Sequence, residues 1–368
     1  MKGAPLRLFM TTDAVGGVWT YAIDLAGELA KAGVRTTLAV MGPSPGRDQM
    51  RSARAVSSLE LIDTGLPLDW TAQTPGELEI AAREIAALAH QRRAHVVHLN
   101  SPALAAYAEF EAPVIGVCHS CVGTWWEAAK GGDLPEDLAW RAEALGKGYA
   151  ACDALVAPSQ AFADATGRRY GVAAPTVIHN GRRWPTEEQP KSDRVIFTSG
   201  RLWDPGKNLA VLDAAAAQLD VPVFAAGPLE SPVGERVELS HLRLLGRLPQ
   251  AEVGRWVSHA QVFASTALYE PFGLSVLEAA QAGCALVLSD IATFRELWDG
   301  AAVFVPPSDE EAIARALQAL IDDPGRAHEL GDAAKARAAN YTVEAMAAGV
   351  LSLYRALAKT QAIQEAAA

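Results

Sequence analysis

Hydrophobic positions along the chain fall into two series of short apolar runs separated by stretches with helical spacing. The first series is 6–12, 36–41, 95–99, 114–118, 154–157 and 176–179, and the second is 195–199, 221–225, 242–245, 262–265, 285–288 and 302–305. Apolar runs of this length, bounded by turn residues, read as strands buried on both faces. Helical patterns lie between most of them, such as 18–32 closed by Gly33 and 279–282 closed by Gly283. A glycine just past the last periodic residue is a helix stop. Repeated strand–helix alternation predicts parallel sheets with helices on both faces. The stretch 343–357 predicts a last helix.

At 368 residues the chain exceeds a comfortable single core, and two series predict two Rossmann-like domains. The polar, proline-flanked segment 182–193 reads as the linker. The expected division is therefore 1–184, 185–345 and a terminal helical segment 346–368. Half the residues are hydrophobic and 20% are charged, which fits a globular domain and excludes a disordered chain. Residues 1–10 hold too short an apolar run for a signal peptide, and no later run reaches membrane-spanning length, so a cytoplasmic protein is expected.

The formal net charge of −11 argues against a nucleic-acid partner, and its acidity sits in the second half, with 24 Asp and Glu against 15 Lys and Arg after residue 184. The pairs Arg92–Arg93, Arg168–Arg169 and Arg182–Arg183 read as solvated surface, so peripheral membrane contact is not favoured. Of the four cysteines, Cys118 and Cys121 form a C-x-x-C. It lacks a second ligand pair at zinc spacing, with His95 and His98 the nearest recruits, and it ends an apolar run and enters a glycine-containing loop where a redox dithiol should open a helix. Reduced thiols, no metal and no bound cofactor are expected.

Candidate chemistry concentrates in 269–280. Glu270 and Glu278 stand eight residues apart across a loop that turns into a helix, with Pro271 favouring extended geometry before it and Gly273 permitting close backbone approach. Amides at that helix start attract a diphosphate, while the carboxylates accept hydrogen bonds from hydroxyls. Read locally, Ser275 and Glu278 also make a capping box, and the segment alone does not choose between the two. Elsewhere, Gly16 and Gly17 follow the first strand at a helix start, without a G-x-G-x-x-G fingerprint. His119 stands at a strand end, followed by Trp125 and Trp126, whose faces could stack on a sugar. The segment 200–208 brings Arg201 and Lys207 to one strand end but fails as a Walker loop, since five residues separate Gly200 from Gly206 and Asn208 replaces the Ser or Thr.

Taken together, Glu270 and Glu278, Gly16–Gly17, His119, Pro158–Ser159, Asn180–Gly181, Gly200–Arg201 and Lys207–Asn208 occur in an order that resembles retaining glycosyltransferases of GT-B architecture, in particular glycosyltransferase family 4. The resemblance spans nearly the whole chain. It implies an α/β fold of two Rossmann-like domains with parallel sheets facing an interdomain cleft, the donor on the C-terminal side, the acceptor on the N-terminal side, and a last helix that packs back on the N-terminal domain.

It further implies transfer of a hexosyl group from a nucleoside-diphosphate sugar, UDP-glucose favoured, to a hydroxyl acceptor, without metal or cofactor. On this resemblance Glu278 would bind the ribose, Glu270 the sugar, and the Phe272, Gly273 and Leu274 backbone the sugar or phosphate. Arg201 and Lys207 would face the departing diphosphate, Gly16 and Gly17 the donor pyrophosphate or the acceptor, and His119 the transferred sugar. Asp13, Trp125 and Trp126 are acceptor candidates. The glycine-free segment 290–297, and Ser265–Thr266 where Pro–Ser is frequent, depart from the family pattern and blur the donor. A sugar-nucleotide epimerase of similar architecture and a non-catalytic sugar-nucleotide-binding protein are the alternatives.

Overall fold

The computed structural model describes residues 5–184, 194–232, 234 and 236–367, with side chains described as far as 361. Most of the segment read as a linker, 185–193, lies outside the described residues. The chain forms two compact units. One runs to Glu127 and includes Gly131–Gly181 and the chain from Val343 onward, and the other holds Arg182–Thr342 with Ala128–Lys130.

The first unit carries β1 (Arg7–Asp13), β2 (Arg35–Met41), β3 (Leu59–Asp63), β4 (Val96–Leu99), β5 (Val114–Val117), β6 (Ala154–Ala157) and β7 (Thr176–Val177). They pair in the order β3-β2-β1-β4-β5-β6-β7, every neighbour parallel. Six of the seven follow the apolar runs. The sequence reading missed β3, an edge strand whose Leu59 and Leu61 alternate with Glu60 and whose faces stay partly exposed, so no continuous run marks it. Glu60 accepts a forked pair of bonds from Arg92 at 2.8 and 3.0 Å, which places one of the two Arg92–Arg93 cations in a specific surface pair.

The second unit carries β8 (Ile196–Ser199), β9 (Val223–Ala226), β10 (Arg243–Gly246), β11 (Val262–Ser265), β12 (Ala285–Ser289) and β13 (Val303–Val305). Their order is β10-β9-β8-β11-β12-β13, again all parallel. In each sheet the winding reverses once, between β1 and β4 and between β8 and β11. At such a switch point the loops leave the strands' carboxyl ends in opposite directions and open a crevice, where open α/β sheets bind ligands.

The helix Val343–Ala367 belongs to the first unit. Val343, Met346, Ala347, Val350 and Tyr354 recur at helical spacing and share one core with Leu8, Met10, Tyr21, Leu25 and Leu29. Burying that stripe holds the end of the chain against the helix Gly17–Lys31. Among the described residues no helix is long and apolar enough to cross a membrane.

Candidate functional site

Within the second unit the site is built at the β8–β11 switch point. After β8 the chain passes Gly200, Arg201 and Asp204 into the short 3₁₀ turn Pro205–Lys207. Asp204, almost fully buried, organises this loop: one oxygen accepts the Gly206 amide at 2.9 Å and the other accepts Arg201 Nη2 at 2.8 Å. The Gly206 carbonyl accepts the amides of Leu268 and Tyr269 at 2.9 and 3.1 Å. Asn208, in the left-handed region at φ 55°, donates to the carbonyls of Thr266 at 3.0 Å and Pro307 at 2.7 Å. The loops after β8 and β11 are thus laced together through backbone and amide groups. Asn208 serves the lacing, a task for which the Walker comparison had no place.

That lacing brings Lys207 Nζ into an ion pair with Glu270, both side chains largely buried. Gly273, at φ 90°, then caps the helix Leu274–Gln281, whose first turn holds no acidic side chain. Its positive φ favours glycine, and a Cβ there would stand a tight 3.3 Å from both the Glu270 side chain and Phe294. The helix starts at Leu274 with Gly273 as its cap, which puts Ser275 inside it, two residues past the cap position. The capping-box reading therefore fails. Phe272 is buried, its ring edge-on to Tyr341 at 5.7 Å, so only its backbone is available to a ligand.

Glu278, in the second turn of this helix, accepts Arg182 Nε at 2.7 Å, with side-chain exposures of 13% and 5%. The Arg182 guanidinium lies 5.2 Å from the Trp184 ring, and its carbonyl accepts Gln281 Nε2 at 2.7 Å. The solvated-surface reading of Arg182 is corrected here: a lone carboxylate at this depth would be costly, and burial of the arginine satisfies it. Both acids of the motif are therefore held by a cation. Arg201 is the more exposed of the cations, paired with Asp204 and 5.7 Å from the Trp203 ring.

Gly227 closes the floor of this loop cluster. At φ 148°, a Cβ there would fall 1.9 Å from the Gly200 carbonyl oxygen. The Gly200 amide donates to Ala226 at 3.1 Å and the Gly227 amide to Gly246 at 2.8 Å, so three strand ends approach as bare backbone.

In the first unit the corresponding cluster gathers at the β1–β4 switch point. Asp13, the buried end of β1, accepts the Val15 amide at 2.8 Å and shapes the turn that delivers Gly16 and Gly17 to the start of the helix Gly17–Lys31. That helix has Gly16 as its cap and no acid in its first turn, leaving its N-terminal end suited to an anion. His119 is partly buried after β5, with Tyr21 edge-on at 4.6 Å. Its Nε2 lies 2.7 Å from Asn100 Oδ1, and the same oxygen lies 3.1 Å from His98 Nε2. Burial pushes His119 down to about 3 and His98 to about 4, so both rings are neutral near pH 7.

Sequence reasoning missed Asn100, and it weighed His98 only as a metal ligand. The available signal was a polar pair at the end of an apolar strand, Val-Val-His-Leu-Asn at 96–100. It also missed Asp69, which accepts Ser101 Oγ at 2.8 Å and whose carboxyl burial pushes up, with the Asp13 charge adding to the shift.

Two placements differ from the sequence reading. Trp125 and Trp126 lie on the helix Val122–Ala129, since the small residues Gly123 and Thr124 pack inward where a loop was expected. The C-x-x-C consequently does precede a helix, but Cys118 and Cys121 are buried free thiols and burial pushes Cys118 up, against thiolate chemistry. No group of three or more His, Cys, Asp or Glu side chains placed to hold a metal occurs among the described residues.

Two parallel doubly wound sheets, each with ligand-type loops at its switch point, define a two-domain GT-B glycosyltransferase fold. Residues 15–182 match the family model for glycosyltransferase family 4, and residues 184–337 match that for glycosyl transferases group 1. The chain belongs to the family 4-like glycosyltransferases of GT-B fold. A phosphatidyl-myo-inositol mannosyltransferase of Mycolicibacterium smegmatis is 34% identical over 147 residues, 36% of this chain and 38% of that protein. An alpha-maltose-1-phosphate synthase of the same organism is 29% identical over 249 residues, 54% of this chain and 64% of that one. The matched stretches thus span between about a third and two thirds of these relatives. Sucrose-phosphate synthase from Thermosynechococcus elongatus superposes with TM-score 0.77 at 19% identity, covering 96% of this chain and 99% of that one. Anabaena HepE, solved with UDP and glucose, gives TM-score 0.75 at 17% identity over 96% and 100% of the two chains. At these identities the superpositions show the fold.

Proposed function

We propose that the protein transfers a hexosyl group from a nucleoside-diphosphate sugar to a hydroxyl acceptor with retention of anomeric configuration, and that UDP-glucose is the donor. The observation that carries this reading is the pairing of each motif carboxylate with its own cation, Lys207 with Glu270 and Arg182 with Glu278, around a helix start free of acidic side chains. A capping role needs neither pair.

In this reading Glu278 accepts hydrogen bonds from the ribose and Glu270 from the sugar, while the Phe272, Gly273 and Leu274 backbone meets the sugar or phosphate. An arriving diphosphate competes with Glu270 for Lys207, and Arg201 supplies a second, forked cation. The bond between the anomeric carbon and the phosphate oxygen breaks, and charge builds on the leaving diphosphate where these cations stabilise it. The acceptor oxygen bonds the anomeric carbon from the same face, and its proton passes to a donor phosphate oxygen. His119, neutral, contacts the sugar near the reacting carbon; Gly16 and Gly17 offer backbone to the pyrophosphate or acceptor, with Asp13, Trp125 and Trp126 on the acceptor side. The reaction needs no metal or cofactor in this account, and a cytoplasmic setting supplies the nucleotide sugar.

UDP-glucose is supported by the UDP and glucose named for the HepE structure. The mannosyltransferase relative supports a mannosyl donor as a second reading. A thermal-shift panel of UDP-, GDP- and ADP-sugars tests both, because a ligand that binds the folded state raises its melting temperature. Stabilisation by UDP-glucose is expected, a response to a GDP-sugar alone would select the second reading, and no response to any would overturn both. Product analysis with donor alone separates an epimerase, which converts the donor without an acceptor.

A further inference from the structure

Asn100 touches more of the first unit's polar interior than its position in the chain suggests. Its Nδ2 donates to the Thr11 carbonyl at 2.7 Å, and its own amide donates to Thr11 Oγ1 at 3.0 Å. The carbonyl accepts only, so the side-chain amide is locked with Oδ1 turned toward the two histidines. That oxygen also accepts only. His119 Nε2 at 2.7 Å and His98 Nε2 at 3.1 Å must therefore both carry protons. His98 Nδ1 is then bare and accepts the Tyr354 hydroxyl at 2.6 Å. The chain of bonds runs from β1 through the end of β4 to the loop after β5 on one side and to the C-terminal helix on the other.

We propose that Asn100 is a positioning residue that holds His119 as its Nε2–H tautomer and presents Nδ1 as the bare acceptor, with His98 donating to the same amide oxygen and Tyr354 bracing His98 from behind. The proposal rests on the reading that His119 contacts the transferred sugar. Which ring nitrogen carries the proton is set by the partner of the other one or by its own acceptor, and here a single amide oxygen decides it for both rings. The titratable groups facing His119 are His98 from β4 and Tyr21 from the helix Gly17–Lys31, with Tyr354 of the last helix behind His98. None of them offers a carboxylate that would favour an imidazolium. Removing the amide oxygen frees the ring to turn or to change tautomer, while the core packing of Tyr21 and Tyr354 stays in place.

Nitrogen-15 NMR of the histidine rings in the full chain reads this without reference to activity. In the wild type, His119 should show a protonated Nε2 and an unprotonated Nδ1. In Asn100→Ala that signature should give way to a tautomer mixture, and kcat should fall by about 100-fold, the scale of a group displaced by ~1 Å, with donor KM little changed. Asn100→Asp, nearly isosteric, places a carboxylate oxygen toward the two N–H groups but loses the donation to the Thr11 carbonyl, a loss that a melting curve reads separately from the state of the ring. His119 should then titrate at higher pH, and the acid limb of the activity profile should move up with it. Tyr354→Phe should leave the His119 signature intact and cost less than tenfold in kcat, an order-of-magnitude bound for a group one residue further removed. An unchanged His119 signature and kcat in both Asn100 variants, with His119→Ala inactive, would overturn the positioning role alone. Full activity in His119→Ala would overturn the sugar-contact reading and the positioning role with it.

Discussion

Arg182 and Glu278, 96 residues apart in the chain, meet as a buried pair with Arg182 Nε 2.7 Å from Glu278 Oε1. The contact joins the first residues of the second unit to the helix that carries the motif. Taking one charge away strands the other in a low-dielectric setting, which typically costs ~3–5 kcal/mol, whereas removing both can be nearly neutral. Arg182→Met should therefore lower the melting temperature sharply, and Arg182→Met/Glu278→Gln should recover most of the loss. On the proposed ribose role of Glu278, nucleotide affinity, measured by titration, should stay low in the double variant, because the amide puts an NH2 donor and one neutral oxygen where the carboxylate offered two charged acceptors. Recovery of affinity along with stability would assign Glu278 a structural role only.

Lys207 is held by Glu270 in an ion pair, and in the proposed mechanism it faces the charge that develops as the donor bond breaks. Replacing Lys207 by Ala should lower turnover about a hundredfold or more, ~3 kcal/mol in the transition state, with a smaller change in donor affinity. Arg201→Ala should act in the same direction. Lys207→Arg should not fully rescue, since a planar fork does not reproduce a compact ammonium. Steady-state kinetics beside donor titration check this, and near-wild-type turnover in both alanine variants would show that the mechanism has the wrong cations.

The two central histidines make stability pH-dependent. Their folded-state values lie at about 4 for His98 and about 3 for His119, below the ordinary 6.5, so the unfolded chain binds more protons in that window. Their contribution is complete above pH 6.5 and is lost as pH falls toward those folded values, each histidine costing about 1.4 kcal/mol per pH unit within the window. Denaturant midpoints at pH 7 and pH 5 should show the loss. His98→Gln should make the acid limb shallower, and an identical slope would remove His98 from the account.

Gly227→Ala tests the floor of the second cluster. The added methyl would overlap the Gly200 carbonyl, and φ 148° is strained for alanine, so a loss of about 1–3 kcal/mol or more is expected, with impaired donor binding. A melting curve and a donor titration suffice. Gly33→Ala is the control, because its helix stop at φ 81° has no atom within 4 Å of an added Cβ.

The elements legible in the sequence were those whose burial is two-sided. β11 and β12 are continuous apolar runs, and the stripe from Val343 to Tyr354 repeats at helical spacing. β3 escaped because one strand neighbour and partial exposure leave it half polar. The helix of Trp125 and Trp126 escaped because Gly123 reads as a breaker, although there it gives room to the Arg169 and Tyr170 side chains.

For the site, the motif acids and the Gly200–Asn208 loop were readable because their spacing is local. Arg182 was not, since an Arg-Arg pair ahead of a proline looks the same whether solvated or buried, and its partner is chosen by the fold. Asn100 is the same case: an asparagine after a strand carries no local mark of the two rings that share its oxygen.

The central claim, a metal-independent retaining transfer from a nucleotide sugar, is tested most directly by proton NMR of the full chain with UDP-glucose and excess chelator, using water or a simple polyol as acceptor. The account predicts slow release of UDP with the first-formed sugar or glycoside in the α configuration of the donor. A β product would contradict retention, activity restored only by added divalent metal would contradict metal independence, and an isomerised donor with no transfer would identify an epimerase.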